Sequence, residues 1–465
     1  MRRVEFPRLD GELLADPQDC AQAAINFGQF LQGTPQAVLR PRSKEAVIDM
    51  VRFCDREGIP VTVRGQGHTC FYPAANGGVL IDMSSLRTLH EIGPGFAHVD
   101  AGCTWEQVLD ATLAASPPQV PPVINGFSRL SIGGTLSAGG ISGMAYFCGC
   151  QVEHVLELEV VTGDGRLVRC SEHSERRLFE AVLAGQGQCG IILNARVALK
   201  PAKSRTREYT FMYPSLAALL EAMNALLDEA EHARSPRLDL IWGSAARTPA
   251  GWGFALLANA HYEPGHEPDR TGLFRAITPP APPLEFDGTF REYIRQLDEK
   301  ILAIPTGGGR YPMWLDMFVP SERLVEYAGG ILDRTQDDDV GQGGLVLLFP
   351  LETRTSTRPL MRLPASKRVY LFDYCRNTDP ISAAKAEELL TRNNALYQEG
   401  VAAGATAYLI GAVRMTPADY QVHYGPVWQR FAADKREFDP RLTLGRGTPI
   451  FSHMLRDETA RGEPR

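Results

Sequence analysis

Three glycine-rich turns within the first 200 residues constrain this chain more than any other feature. They lie at residues 65–69, 133–143 and 185–190, and each follows a predicted strand or precedes a predicted helix. Glycine permits left-handed backbone and lets successive N–H groups point into one concavity, which is how proteins hold phosphate oxygens without cationic side chains. One such turn alone is weak evidence, because ordinary loops also contain glycine. The three turns are therefore evidence for phosphate binding only when they are considered together.

None of these turns matches the two best-known nucleotide-binding motifs. The stretch RGQGHT at residues 64–69 continues into CFYPAANGG, which has no helical pattern, so it is not the G-x-G-x-x-G turn that opens a Rossmann helix. The P-loop pattern G-x-x-x-x-G-K-[ST] does not occur in the sequence. Rossmann and P-loop folds are therefore excluded as explanations of the glycine turns.

Size and charge exclude several classes of partner. With 465 residues the chain exceeds the length of a single typical core, so two domains are expected. The net charge is −7, and no run of lysine or arginine forms a basic stripe. Nucleic acid and anionic membranes are therefore not expected as partners, whereas a small-molecule substrate is.

The cysteines and the apolar segments indicate a cytoplasmic protein. The first twenty residues lack the apolar core of a signal peptide, and no span approaches ~18 apolar residues. Nine cysteines are scattered along the chain, which is typical of reduced thiols rather than of a disulfide framework. The pair Cys148 and Cys150 has no second ligand pair nearby in sequence, so no metal site is predicted.

The segment before the first glycine turn has the pattern of a β-α-β unit. A short strand at 37–40 precedes a helix with apolar residues at i, i+3 and i+4 spacing, and a strand beginning at Val61 follows. Further on, VLELEVVTGDGRLVRC predicts a β-hairpin. After Lys203 the composition shifts, and amphipathic helices alternate with apolar strands.

Several motifs, in one order, resemble the PCMH-type FAD domain of the vanillyl-alcohol-oxidase superfamily. They are AVLRPRSKEAVIDMVRFCDREGIPVTVRGQGHT, GGVLIDMSSL, LSIGGTLSAGGISGMAYFCGCQVEHVLELEVVTGDG and LFEAVLAGQGQCGII. Within that superfamily the likeness is greatest to the cytokinin dehydrogenases, since WLDMFVP, LLFPL and HYGPVWQRFAADKREFDPRL resemble later motifs of that family. The resemblance spans roughly residues 34–451.

The resemblance implies an α+β fold of two domains. Residues 1–203, completed by 415–465, would form the FAD-binding domain from two α+β subdomains. Residues 204–414 would form a substrate-binding cap of antiparallel sheet flanked by helices. The substrate would lie at the interface between them, where pockets commonly occur.

The resemblance also implies which residues hold FAD. In the family, the histidine of R-G-x-G-H-S/T is bonded to the 8-methyl carbon of the flavin ring, and His68 occupies that position. No cysteine lies between 120 and 132, so a single covalent link is expected. The other cofactor contacts implied are Arg64, Gly65, Gln66, Gly67 and Thr69 around the pyrophosphate and ring, with Gly134, Thr135, Ser137, Gly140, Ile141, Gly190 and Ile192 on the adenosine and diphosphate side.

Two positions depart from the family pattern. The family's aspartate that accepts the amine proton corresponds to Gly126 here, and no carboxylate lies between Val120 and Gly134. A second acidic residue at the family's pocket mouth corresponds to Trp242. Loss of both carboxylates removes the base and the affinity for a cation-like amine, which argues against a cytokinin substrate.

Asp316 and Tyr424 are the candidate proton acceptors. Asp316 replaces an asparagine of the family that faces the substrate, and a dry aromatic pocket with Trp314 and Phe318 would raise its pKa toward that of a general base. The alternative is an aspartate that bonds backbone at a strand end. Tyr424 lies near the flavin in the resemblance, and the alternative there is packing against the ring edge. The predicted substrate contacts are Gly126, Trp242, Trp314, Asp316 and Leu409.

The leading functional hypothesis is an FAD-dependent oxidase or dehydrogenase that takes hydride from a C–N or C–OH bond of a specialised metabolite. Flavin would do the redox chemistry, and dioxygen or a quinone would accept the electrons. One alternative is a flavin-bearing binding or resistance protein that sequesters a metabolite. Others are a true cytokinin dehydrogenase and a dehydrogenase of the lactate or glycolate branch, although no histidine–arginine set for a carboxylate is recognisable. The oligomeric state is left open.

Overall fold

The first part of the chain carries short strands around the predicted β-α-β unit. The computed structural model describes residues 5–30, 33–70, 77–233 and 237–455, without the side chains of 337 and 338. The strands up to residue 203 are β1 (Gly11–Leu14), β2 (Ala37–Pro41), β3 (Val61–Arg64), β4 (Val79–Asp82), β5 (Leu89–Gly93), β6 (Phe96–Asp100), β7 (Gln119–Val120), β8 (Val155–Val161), β9 (Leu167–Cys170), β10 (Ile191–Ala198) and β11 (Lys200–Pro201).

The helices of this part are short, except for the one in the β-α-β unit. They are α1 (Pro17–Ala24), α2 (Lys44–Glu57), α3 (Trp105–Leu113), α4 (Ile132–Ala138), α5 (Ala145–Cys148) and α6 (Arg176–Val182). Helix α2 begins where the Ser43 side chain accepts a hydrogen bond from the Ala46 amide. It ends at Gly58, whose φ of 69° needs a glycine. Its predicted apolar stripe is buried, as the i, i+3, i+4 spacing indicated.

Two sheets form the body of this part. The four-stranded sheet has the order β1-β2-β4-β3, in which β2, β4 and β3 are parallel and β1 is antiparallel at the edge. The five-stranded sheet has the order β5-β6-β10-β8-β9 and is antiparallel throughout. The predicted hairpin is present as β8 and β9. Strands β7 and β11 form a separate short pair.

The middle of the chain forms one large antiparallel sheet. Its strands are β12 (Arg205–Tyr213), β13 (Leu240–Thr248), β14 (Gly251–Tyr262), β15 (Leu284–Gly288), β16 (Leu315–Pro320), β17 (Leu345–Glu352), β18 (Arg368–Cys375) and β19 (Thr406–Ala407). They lie in the order β15-β12-β14-β13-β17-β18-β16-β19. We call this the cap sheet. The observed sheets and helices confirm the predicted mixture of helix and antiparallel sheet. The domain boundaries at 203 and 414 stay a prediction.

Helices cover one face of the cap sheet, and the other face meets the first part of the chain. The helices of this region are α7 (Leu216–Ala233), α8 (Arg270–Leu273), α9 (Phe290–Leu302), α10 (Leu324–Arg334), α11 (Asp337–Val340) and α12 (Ala383–Ala402). On β16 the Met317 side chain points toward Gly400 of α12. Because side chains alternate along a strand, Asp316 points to the opposite face.

The last described segment returns to the first part of the chain. It contains α13 (Pro417–Tyr424) and α14 (Trp428–Phe438). Leu444 forms a parallel bridge with Val61 of β3, so this segment lies beside the strand that leads into the first glycine turn. The Lys435 ammonium is 1% exposed and donates to the carbonyls of Gln188 and Leu444 at 2.8 and 2.9 Å. The third glycine turn is thereby fixed to the returning segment.

Along the parts of the chain that the structure describes, no helix has the length and apolar character needed to cross a membrane. The nine cysteines are free thiols.

Candidate functional site

A cavity of about 340 Å³ lies between the first part of the chain and the cap sheet. The three glycine turns, residues 125–127, the uncovered face of the cap sheet and the returning segment all contribute to its wall. The predicted site residues that line it are Arg64, Gly65, Gln66, Gly67, His68, Thr69, Gly126, Gly134, Thr135, Ser137, Ile141, Gly190, Ile192, Trp314 and Leu409.

The first glycine turn is held by main-chain bonds on both sides. The amides of Phe27 and Gly28 donate to the carbonyls of Gly67 and Thr69 at 2.8 and 3.1 Å. Gly67 has a φ of +66°, a left-handed conformation that glycine adopts without strain. The Arg64 guanidinium donates to the carbonyls of Ala23 and Ile25, so its charge fixes the end of α1.

The His68 ring lies on the cavity wall within a cluster of aromatic side chains. It stacks on Phe27 with a centroid distance of 4.1 Å and an interplanar angle of 15°. Phe127 and Trp314 lie 5.1 and 5.9 Å away, centroid to centroid. Burial lowers the pKa of His68 to about 4, because the charged imidazolium loses solvation there. The imidazole is therefore neutral at pH 7 and keeps a free nitrogen lone pair.

Three glycines of the wall, Gly65, Gly134 and Gly190, leave no room for a side chain. A Cβ atom on Gly65 would lie 1.9 Å from Ser131 Oγ, and one on Gly190 would lie 2.4 Å from Val160 Cγ1. A Cβ on Gly134 would lie 2.9 Å from Ser131 Oγ. The backbone at these positions therefore borders the cavity directly, which fits a long cofactor whose diphosphate is held by main-chain groups.

Hydrogen bonds to the returning segment fix the third glycine turn. Gln186 and Gly187 line the cavity, and the Gln186 amide donates to the Ser137 carbonyl at 2.9 Å. The Gln188 side-chain amide donates to the Gly445 carbonyl at 3.1 Å and to Thr448 Oγ1 at 2.8 Å. The second and third turns are thus held in contact with each other around one space.

The cap sheet supplies an apolar wall with one carboxyl group. Leu347, Phe349, Leu371 and Trp314 line the cavity, and Asp373 on β18 lies among them. The Trp314 indole nitrogen donates to Asn377 Oδ1 at 3.1 Å, which fixes the indole ring. This part of the cavity is suited to an apolar or aromatic molecule with one polar group.

Asp373 is paired with the predicted Asp316. The two residues lie directly opposite each other on β18 and β16, and they are 6% and 1% exposed. Asp316 lies behind the cavity wall, whereas Asp373 is part of it. The Cys375 thiol donates to Asp373 Oδ1 at 3.0 Å. Two neighbouring buried carboxyl groups cannot both be ionised at low cost.

The pKa values of the two carboxyls shift in the same direction for the same main reason. Burial raises the pKa of Asp373 to about 6, while hydrogen bonds from Cys375 and Asp316 counteract the rise. Burial, the charge of Asp373 and the hydrogen bond to it raise the pKa of Asp316 well above its usual range. Both shifts disfavour a second negative charge in the pair.

Three further predicted residues lie off the cavity wall. Gly140 donates its amide proton to the Tyr408 hydroxyl at 3.0 Å, beneath the wall. Trp242 packs against Phe349, with a centroid distance of 5.9 Å, and does not line the cavity. The Tyr424 ring is fully buried and packs against Phe431 with a centroid distance of 4.9 Å.

The sequence prediction missed Phe27, Asn125, Phe127 and Asp373. Phe27 supports the His68 ring, and the other three line the cavity. A signal for Asp373 was present, since it is the one acidic residue in the apolar strand RVYLFDYC. Gly126 lies between Asn125 and Phe127, and a Cβ atom there would meet nothing within 4 Å. In the described parts of the chain, no cluster of three or more His, Cys, Asp or Glu side chains is arranged to hold a metal ion.

Two family models match the regions that form the cavity. A model described as an FAD binding domain matches residues 35–171. A second, described as cytokinin dehydrogenase 1, FAD and cytokinin binding, matches residues 309–451. The first region contains the His68 and Gly134 turns, and the second contains both aspartates of the pair.

Similar proteins cover nearly the whole chain. An uncharacterized oxidoreductase, ORF5 in the fasciation locus of Rhodococcoides fascians, is 31% identical over 93% of this chain and 97% of its own. Cytokinin dehydrogenase 5 of Oryza sativa subsp. japonica is 30% identical over 95% of this chain and 91% of its own. Cytokinin dehydrogenase 5 of Arabidopsis thaliana is 29% identical over 97% and 91%.

The fold has a solved counterpart. The crystal structure of 6-hydroxy-D-nicotine oxidase from Arthrobacter nicotinovorans matches 96% of this chain and 99% of its own, with a TM-score of 0.71 and 19% identity. The predicted α+β fold with a PCMH-type FAD-binding domain is thereby confirmed, and so is the predicted family resemblance. The chain belongs to the cytokinin dehydrogenase family of FAD-dependent oxidoreductases.

Proposed function

We propose that this enzyme carries FAD covalently linked to His68 and takes hydride from a C–N or C–OH bond of a small specialised metabolite. The observation that carries the proposal is the neutral His68 ring, which borders the cavity and is held by stacking on Phe27. A neutral imidazole has the nucleophilic nitrogen that a bond to the 8-methyl carbon of the flavin requires. Gly65, Gly67, Gly134 and Gly190 would hold the diphosphate side through main-chain groups.

The substrate would bind against the cap sheet. Trp314, Leu347 and Phe349 offer apolar surface, and Leu409 lies on the same wall. Gly126 leaves open space where the cytokinin dehydrogenases would carry the aspartate base according to the motif comparison. We therefore place proton transfer on the cap side, at the carboxyl pair of Asp316 and Asp373, and not at Tyr424, whose ring is buried away from the cavity.

Bound FAD supplies the two-electron redox chemistry, and the protein supplies binding, orientation and proton transfer. Dioxygen or a quinone is proposed as the electron acceptor. The free thiols support a reducing compartment, and we propose the cytoplasm.

Acid precipitation of the purified protein tests the covalent link. We expect flavin fluorescence in the washed pellet, and a flavin-sized mass increase on the proteolytic peptide that contains His68. His68→Ala should release all flavin into the supernatant, while His98→Ala, a histidine of β6 that bonds Asn194, should retain it. A His68→Ala protein with covalent flavin would refute the assignment.

A second candidate function is sequestration of a metabolite, favoured by the open space at Gly126. Anaerobic addition of a panel of amines and alcohols distinguishes an enzyme from a binding protein. The panel includes isopentenyladenine as a cytokinin. An enzyme bleaches the flavin absorbance and recovers it in air over many cycles. A binding protein shifts the flavin spectrum without repeated bleaching. Rapid bleaching by isopentenyladenine would instead favour a true cytokinin dehydrogenase.

A further inference from the structure

We propose that Asp316 and Asp373 form a proton-sharing carboxyl pair in which Asp373 is the group that accepts the N–H or O–H proton of the substrate. Asp316 is then a positioning residue that holds the shared proton behind the cavity wall. The inference rests on the proposed function above and names the residue through which its proton transfer takes place.

The geometry of the cap sheet creates this pair. Asp316 and Asp373 occupy one cross-strand position of β16 and β18, and both side chains point to the face without helices. Of the two, Asp373 reaches the cavity and Asp316 does not. Neither Asp316 side-chain oxygen has a hydrogen-bond partner within the described residues. Only the Asp373 carboxyl of the pair therefore borders the cavity.

The surroundings leave the pair with a single negative charge. Within the described residues, no lysine or arginine forms an ion pair with either carboxyl group. The titratable groups that face the pair are the thiols of Cys70 and Cys375 and the phenol of Tyr408, and burial raises the pKa of each. All three are therefore neutral at pH 7. A second ionised carboxyl would have no compensating cation in this environment.

The hydrogen bonds decide which carboxyl carries the charge. Asp373 accepts a hydrogen bond from the Cys375 thiol, whereas neither Asp316 oxygen has a donor within the described residues, so the Asp373 anion is better stabilised than that of Asp316. The charged end of the pair is the end that borders the cavity. A carboxylate at the wall has further acceptor sites, which favour a substrate that brings its own donor, an amine N–H or an alcohol O–H on the carbon to be oxidised.

The reaction then balances in protons and electrons. The C–H bond of the substrate breaks, and its electron pair leaves with the hydrogen as hydride to the flavin. The proton of the adjacent N–H or O–H passes to the Asp373 carboxylate, and the C=N or C=O bond of the product forms. A quinone or dioxygen later takes the two electrons, and Asp373 returns its proton to solvent.

A titration of the substrate-free holoprotein tests the pair independently of any substrate. The infrared C=O stretch of protonated carboxyls and the flavin absorption spectrum are recorded from pH 8 to pH 5. We expect the wild type to gain a carboxyl band, together with a small flavin shift, with a midpoint near pH 6. Asp373→Asn should lose this step, whereas Asp287→Asn, an aspartate at the β15 edge of the same sheet, should keep it.

Cys375→Ala is the second variant, because Asp373→Asn disturbs a buried position and could prevent folding. Removal of the thiol donor should move the midpoint to higher pH by a few tenths of a unit or more, since the bond from Cys375 lowers the pKa of Asp373. If Asp373→Asn kept the pH-dependent carboxyl band, or if the wild type showed no such band, the proposed proton-sharing pair would be wrong. Absence of flavin in all variants would instead refute the proposed function.

Single-turnover kinetics distinguish the positioning role proposed for Asp316 from the proton acceptance proposed for Asp373. With the compound that bleaches the flavin in the anaerobic panel, Asp373→Asn should slow flavin reduction by roughly 10²–10⁴-fold. Asp316→Asn keeps a donor for Asp373 and should slow flavin reduction by a smaller factor than Asp373→Asn does. Asp316→Leu removes the donor and should shift the rate profile to higher pH. Wild-type rates in Asp373→Asn would contradict the assignment.

Discussion

The imidazole of His68 and the phenyl ring of Phe27 are stacked, with centroids 4.1 Å apart. The same segment also fixes the backbone of the turn, because the Phe27 and Gly28 amides bond the carbonyls on either side of His68. Ring and backbone are therefore oriented by one short stretch of chain.

Phe27→Leu should reduce covalent flavin attachment without abolishing FAD binding. The stack that orients the imidazole is lost, while the backbone bonds to Gly67 and Thr69 remain. We expect the ratio of acid-precipitated to total flavin to fall several-fold after brief incubation of apoprotein with FAD. Phe286→Leu, on β15 far from the cavity, provides the matched control. An unchanged rate of attachment in Phe27→Leu would show that the stack has no orienting role.

Gly65→Ala and Gly126→Ala should differ sharply. A methyl group on Gly65 would lie 1.9 Å from Ser131 Oγ, while one on Gly126 meets nothing within 4 Å. We expect Gly65→Ala to lose FAD binding by at least tenfold and Gly126→Ala to retain it. The measurement is the flavin content of protein purified from riboflavin-supplied cells. Equal flavin content in the two variants would contradict the close approach at Gly65.

The carboxyl pair makes stability depend on pH in a defined direction. Burial raises the folded pKa of Asp373 to about 6 and that of Asp316 well above its usual range, against about 3.9 in unfolded chains. The folded state therefore binds more protons than the unfolded state from about pH 4 upward. Each retained proton lowers the free energy of unfolding by about 1.4 kcal/mol per pH unit of increase.

The contribution of Asp373 is fully present below about pH 4 and is lost as pH rises through 6. Thermal unfolding of wild type and Asp373→Asn should be compared at several pH values by calorimetry. We expect the wild-type midpoint, relative to the variant, to fall between pH 4 and 6 and to level off above. A difference that rises with pH would mean that the Asp373 carboxylate is stabilised rather than penalised in the fold.

Lys435→Met should destabilise the protein strongly. The Lys435 ammonium pairs with Asp439 at 2.5 Å, and Asp439 is fully buried. Loss of one partner leaves a buried charge without compensation, at a cost of about 3–5 kcal/mol. Arg441→Met removes an ion pair in which the arginine is 63% exposed and Asp55 14%, and should cost less because Thr443 still donates to Asp55. Scanning calorimetry of both variants checks the contrast, and similar midpoints would contradict it.

Local motifs were sufficient to predict the glycine turns that line one side of the cavity. His68 and its neighbouring glycines lie within six consecutive residues, and turn chemistry of this kind is fixed by nearby sequence. Helix α2 was predictable for a similar reason, since its cap and its C-terminal glycine are both local signals.

The part of the cavity formed by the cap sheet could not be predicted from the sequence in the same detail. Asp316 was recognised as a candidate, but its position behind the wall depends on the pairing of β16 with β18, which the strand sequences do not encode locally. The same pairing brings Asp373 to the cavity. Tyr424 and Trp242 lie in apolar segments whose inward and outward faces are decided only by distant packing partners.

The bridge between Val61 and Leu444 has a consequence for biosynthesis. Residues 444–448 close one side of the cavity, so a nascent chain leaves the ribosome with His68 complete and its binding site still open. We therefore expect the proposed attachment of flavin to His68 to follow docking of the returning segment. Chains interrupted before residue 444 should remain colourless even though they contain every glycine turn.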